Sequence, residues 1–253
     1  MTIRGTTAVL AVVFAFVPLC AVAFGEGGAT LSTATIIQVQ ATDTDTGQTG
    51  QFTQVWPVSA WTGPLSWTLP APTALDGAGL AFINAMTVNL SADPQVDLTF
   101  DITNTTSKNV RLSIATDTIV FDDPVLNAWA SASGSLTLND LGGSVGASLT
   151  GLFSGNAYQA RYSTDEVLPP AAVFANLLPS TSTLGSTVSW ADASPVSGMT
   201  NLGTTVYMME SEFHFTLSAR DQAIGTSTFL ITPEPASAVL LALGSLALWR
   251  RRR

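Results

Sequence analysis

Glu210, Glu212 and His214 form the one cluster in the chain whose residue types and spacing could do acid–base chemistry. At alternate positions of an extended segment, their side chains stand on one face about 7 Å apart. That separation overlaps the carboxylate spacing of inverting glycosidases, so glycan hydrolysis is the reaction to weigh. A catalytic pair, however, needs one buried and one solvated acid, and neighbours on an open strand share one environment. A solvated outer face explains the same three residues, and no catalytic residue is assigned. His214 is the only histidine, so a serine triad or a zinc site would have to use it. No Gly-x-Ser-x-Gly elbow precedes a helix, and a single histidine with carboxylates is an atypical zinc set. No glycine-rich phosphate loop occurs, and no cofactor or metal is expected.

Three other groups of residues invite a binding reading. Asp43 and Asp45 precede Gly47 in a polar run, but the third acid and closing glutamate of a calcium loop are missing, so a hairpin loop is expected. Asp122-Asp123 and Asp165-Glu166 are expected at turns, solvated, with weak calcium binding as the alternative. Trp56, Trp61 and Trp67 lie among Pro57, Pro64, Pro70 and Pro72. They could stack on sugar rings, but large aromatics more often fill a core, which is the expectation here. The prolines mark this segment as an irregular edge.

The elements that must position these residues are strands. Met86, Val88 and Leu90 alternate with polar neighbours, as do Val96, Leu98, Phe100 and Ile102, and then Val110, Leu112 and Ile114. The last two sets read as a hairpin, with Ile102 opposite Val110 and Asp101 opposite Arg111. The Phe-Asp-Ile-Thr-Asn-Thr stretch resembles strands of immunoglobulin-like surface modules over about thirty residues. Strands are also expected at 118–121, 128–138, 146–153, 158–162, 187–190, 205–220 and 226–231. Pro169 and Pro170 precede 171–178, the one segment of the body read as a short helix. The fold class expected is all-β, a β-sandwich of immunoglobulin-like or jelly-roll-like type.

Composition narrows the partners. Charged residues make up 11% of the 253, low for a globular chain. With the two ends set aside, Lys108, Arg111, Arg161 and Arg220 are the only cations of an acidic body, so nucleic acid is not an expected partner. Cys20 is the only cysteine and lies in the N-terminal apolar stretch, which leaves the body without disulfides. Leu19 before it fits poorly with lipid attachment.

Both ends read as targeting segments. Residues 1–23 combine Arg4, an apolar run from Ala8 to Val17 and the small residues Ala21 and Ala23, the pattern of a secretory signal helix cleaved after Ala23, with Gly25 as a fallback. The body is set at 24–231. At 232–253, Pro233, Glu234, Pro235 and Ala236 precede a short apolar helix that ends in Arg250, Arg251, Arg252 and Arg253. That helix, from Ser237 to Trp249, would span about 20 Å against the ~30 Å of a bilayer's hydrocarbon. Terminal arginines would hold it with the body outside the inner membrane.

This order resembles the PEP-CTERM sorting signal of Gram-negative bacteria over about the last twenty residues. The resemblance implies processing near Pro-Glu-Pro by an exosortase, an integral-membrane cysteine protease or transpeptidase. It implies an inner-membrane tether before processing and a cell-surface or extracellular location afterwards. It also implies association with exopolysaccharide and biofilm matrix. It transfers no activity to the body. The resulting expectation is a non-enzymatic envelope or matrix protein with a structural or adhesive role. A carbohydrate-binding module using the three tryptophans is the alternative, and a glycan hydrolase the third reading.

Overall fold

Alternation of apolar and polar residues, repeated in short runs between turn residues, leaves each strand one face to bury. The computed structural model describes residues 34–56, 65–75, 79–91, 94–116, 118–142, 146–167 and 169–233. Strands, and no helix, are found among them. In chain order they are β1 (Ala34–Asp43), β2 (Thr49–Trp56), β3 (Leu65–Thr68), β4 (Thr73–Ala74), β5 (Ala81–Ser91) and β6 (Gln95–Asn104). There follow β7 (Val110–Thr116), β8 (Ile119–Val125), β9 (Trp129–Asn139), β10 (Ala147–Gly151), β11 (Asn156–Ser163) and β12 (Ala172–Pro179). The remainder are β13 (Thr181–Thr183), β14 (Thr187–Ser194), β15 (Thr200–Asn201), β16 (Val206–Leu217) and β17 (Gln222–Thr232).

These strands make two antiparallel sheets. The first runs β12-β11-β16-β7-β1-β2, with β8 and β10 also paired to β16 and β13 to β10. The second runs β14-β9-β17-β6-β5-β3, with β15 on β9 and β4 on β5. Their apolar faces share one core. Phe100 of β6 meets Phe213 of β16 edge-on at 4.9 Å and stacks on Phe215 at 6.1 Å, while Phe229 of β17 stacks on Phe174 of β12 at 5.8 Å. Each of the fully buried rings stabilises the packing by roughly 1.5–3 kcal/mol relative to exposure. Gly225 faces Phe100 so closely that a Cβ there would lie 2.3 Å from the ring. A polar seam crosses this core. Ser211 of β16 donates to the Tyr158 hydroxyl at 3.0 Å and lies 3.4 Å from the Ser227 hydroxyl of β17. Burial pushes the Tyr158 phenol up to about 12.

Two expectations are corrected. The pair 96–102 and 110–114 is not a hairpin. β6 pairs with β5 and β17 in the second sheet, and β7 pairs with β1 and β16 in the first. Asp101 therefore faces Ala85 and Ile224, and Arg111 faces Thr42 and Thr216. An apolar face shared by two strands can be satisfied from opposite sides of a core as well as from one side, and here the chain changes sheets. Buried Asn104 holds that corner: its amide donates to the carbonyls of Lys108, Leu217 and Ser218, and its oxygen accepts from the Thr106 amide. The true hairpins nearby are β5–β6 and β1–β2.

The second correction is 171–178, which is strand β12 on β11 and not a helix. Eight residues ending at Pro179 make too short a helix to stand on its own, and the edge of β11 supplies a full ladder instead. A left-handed backbone at Leu178 (φ 68°) breaks the alternation, so Leu177 and Leu178 are both buried. The edge positions agree with the Trp- and Pro-rich segment: β2 and β3 are the outermost strands on that side of the two sheets.

Candidate functional site

Glu210, Glu212 and His214 lie on the outer face of β16, in the middle of the first sheet. Their register neighbours are β11 on one side and β7 on the other, which set Arg161 opposite Glu210 and Ser113 opposite His214. Arg161 Nη2 reaches both carboxylates, at 2.5 Å from Glu210 Oε1 and 2.9 Å from Glu212 Oε2. Ser113 donates to Glu212 Oε1 at 2.9 Å. Glu212 is 5% exposed, contrary to the expected solvated face. Burial raises its pKa above the ordinary value, against the opposing pull of Arg161 and then of Ser113. The Arg161 Nε–H is buried with no hydrogen-bond partner among the described residues.

Burial, with the nearby Arg111 charge, pulls His214 down to about 4, so it is neutral at neutral pH. Phe153 packs edge-on against its ring at 5.5 Å. The cluster is thus a charged clamp across three strands. Glu210 and Glu212 are both spent on one guanidinium, and no open carboxyl pair with room for a water and a sugar ring results.

The other sequence candidates separate. Trp67 is 8% exposed and lies against Phe52 at 6.0 Å, in line with core packing. Trp61 and the Trp56 side chain lie outside the described residues. Asp43 closes the β1–β2 hairpin: its Oδ1 accepts from the amides of Asp45 and Thr46, and Gly47 takes φ 72°. Those amides, Thr46 first, hold the Asp43 carboxyl below its ordinary value. Asp122 and Asp123 are in strand β8 rather than at a turn, at a register shift between Val120 and Val125, which pair with Met208 and Val206 of β16. Asp165 does sit at a turn, accepting from the Val167 amide at 2.8 Å. Among the described residues no three His, Cys, Asp or Glu side chains converge as a metal site would need. Pro233 is exposed just past β17, while Glu234, Pro235, Ala236, Arg250 to Arg253, Ala21, Ala23 and both expected terminal helices lie outside the described residues.

A second surface was not singled out from the sequence. The strands of the second sheet contain no Lys, Arg, His or Glu. Their outer face is laid out in registered rows. One runs Ala191, Ser135, Thr226, Thr99, Thr87, Thr68, and the next Ala193, Ser133, Thr228, Asp97, Asn89, Ser66. Neighbours in these rows bond across strands: Ser135 with Thr226 at 2.8 Å, Thr228 to Asp97 at 2.7 Å, Ser66 to Asn89 at 2.6 Å. A shallow, open groove of about 510 Å³ lies over β14, β9 and β17, lined by Ser133, Ser135, Thr226, Thr228 and Val196 among others. The signal in the sequence was the alternation of Ser131, Ser133, Ser135 and Thr137 in one strand and of Thr226 and Thr228 in another, without a single cation.

No family model matches this chain, and no curated protein matches it.

Proposed function

We propose that the chain is an exported, non-enzymatic β-sandwich protein with a structural or adhesive role in the bacterial envelope or extracellular matrix. It is delivered by the N-terminal signal and processed by an exosortase at Pro233 to Ala236, after a stage tethered to the inner membrane. The immunoglobulin-like or jelly-roll-like kinship of the sandwich belongs to the same proposal.

The observation that carries this reading is where the tail joins the body. β17 ends at Thr232, one residue before the sorting motif, and it is bonded along its length to β6 on one side and β9 on the other. A tether placed there passes force into a strand held by ladders on both edges. Detaching such a strand requires many bonds to break together. The clamp at Glu210 and Glu212 counts against the hydrolase alternative. The carbohydrate-binding alternative is favoured by the groove on the second sheet, and disfavoured in its tryptophan form by the burial of Trp67.

Intact-mass measurement on protein recovered from envelope and medium tests the proposal. A mature C-terminus near Pro233 to Ala236 in matrix fractions is expected. Retention of Arg253 in every fraction, or absence from both envelope and medium, refutes it.

A further inference from the structure

The outer face of the second sheet differs from an ordinary solvated surface in three respects. Solvent faces of soluble domains carry roughly 25–35% charged residues of both signs. The ionisable side chains of this sheet's strands are Asp97, Asp101 and Asp192 alone. Two of them are already engaged by uncharged donors: Asp97 by Thr228 and Gln95, and Asp101 by Asn84 and Gln222, each at 2.7–3.0 Å. Hydroxyl and amide groups across the face are bonded to one another in register, which fixes their rotamers before any ligand arrives. The groove over β14, β9 and β17 then supplies a shallow, open site along these rows.

We propose that this groove binds a strand of neutral, hydroxyl-rich polysaccharide. The ligand class follows from charge and from hydrogen-bonding capacity. Ser135, Thr226 and Thr228 each retain acceptor or donor capacity beyond their cross-strand bonds, since a hydroxyl donates once and accepts twice, and Ser133 adds a fourth hydroxyl to the lining. Successive side chains within a row lie about 4.8 Å apart and the rows about 7 Å apart, which offers regularly spaced donors and acceptors to a polymer that is itself a ladder of hydroxyls. An anionic polymer meets Asp97 beside the groove, and the strands of this sheet hold no cation to pair with it. A protein partner would need buried aromatic or arginine anchors, and the groove's one large apolar side chain is Val196, 91% exposed. Ala191 and Ala193 leave the β14 side low enough for a flat sugar ring. Without an aromatic platform the affinity of one site is weak, on the order of 1 mM, and salt-insensitive.

The inference deepens the adhesive reading above by naming the ligand and the surface, and its test is independent of export. Purified protein is run in affinity electrophoresis gels containing a soluble neutral β-glucan, dextran or a polyuronate. The expected result is retardation by at least one neutral glycan, unchanged in high salt, and none by the polyuronate. Thr226→Val with Thr228→Val keeps β-branched shape, removes two hydroxyls, and is expected to weaken binding at least tenfold with an unaltered circular dichroism spectrum. Gln40→Ala, on the outer face of the first sheet, is expected to bind as wild type. Retardation by neither neutral glycan overturns the inference, as does stronger binding to the polyuronate or a double variant that binds as wild type. Protein found in matrix fractions but blind to both glycans overturns this inference alone. Protein that binds glycan but never leaves the cytoplasm overturns the export reading alone.

Discussion

Replacing Arg161 with Met isolates what the charged clamp contributes. Removing one partner of a buried pair costs roughly 3–5 kcal/mol, because the remaining charge is left without compensation. The Arg161 side chain is 26% exposed, so water replaces part of what is lost, and the expected destabilisation at neutral pH is nearer about 2–3 kcal/mol. For a body of this size that lowers Tm by roughly 4–12 °C. The deficit must also depend on pH. Glu212 has a folded pKa above its ordinary 4.5, so above that pH the folded state retains a proton that the unfolded state has released. Its contribution to stability therefore falls as pH rises from 4.5, until the folded carboxyl is ionised too. Arg161 is the main influence that lowers this pKa, and without it the window extends upward. Urea unfolding at pH 4.5 and pH 8 should show a deficit that is small at the lower pH and full at the higher. His214 titrates in the same range, but it does so in both proteins and cancels from the difference. Arg161→Met combined with Glu212→Leu should recover the share of the loss at pH 8 that Glu212 carries, leaving the share of Glu210. A deficit under about 0.5 kcal/mol, or one equal at both pH values, would refute a buried ionic clamp.

Three further outcomes follow from the same structure. Because the chain has one histidine, its imidazole resonances report His214 directly, and they should titrate near pH 4. His214 thus contributes stability above its ordinary pKa of 6.5 that is lost as pH falls toward 4, and a midpoint near 6.5 by NMR would contradict its burial. Gly225→Ala pushes a methyl into the Phe100 ring and should cost about 1–3 kcal/mol in chemical unfolding, with Phe100→Leu relieving much of it in the double variant. Asn104→Asp replaces the amide donor with a carboxylate oxygen, an acceptor aimed at the carbonyls of Lys108, Leu217 and Ser218, and its thermal stability should fall below that of Asn104→Ala. Equal Tm values for those two variants would remove Asn104 as the holder of the corner.

Local pattern carried much of the fold because a strand's two faces are written in its own residues. The alternation in 86–90, 96–102 and 205–220 announced strands, and the glycine and aspartates of 43–47 announced a hairpin loop. The surplus of Ser and Thr over charged residues was equally plain, as were the apolar and basic ends that resemble a sorting signal. Which strands pair is another matter, since an inward-facing set looks the same from either side of a core. Only the assembled sheets decided that Ile102 and Val110 belong to opposite sheets rather than to one hairpin. Only the free edge of β11 decided that 172–179 extends instead of coiling. The environment of Glu212 was likewise a tertiary matter: its burial depends on Arg161 and Ser113, fifty-one and ninety-nine residues away in the chain. The uncharged rows of the second sheet show the division most simply. Each strand supplied its own hydroxyls by sequence, and only the register of six strands, distant in sequence and adjacent in space, aligned them into one surface.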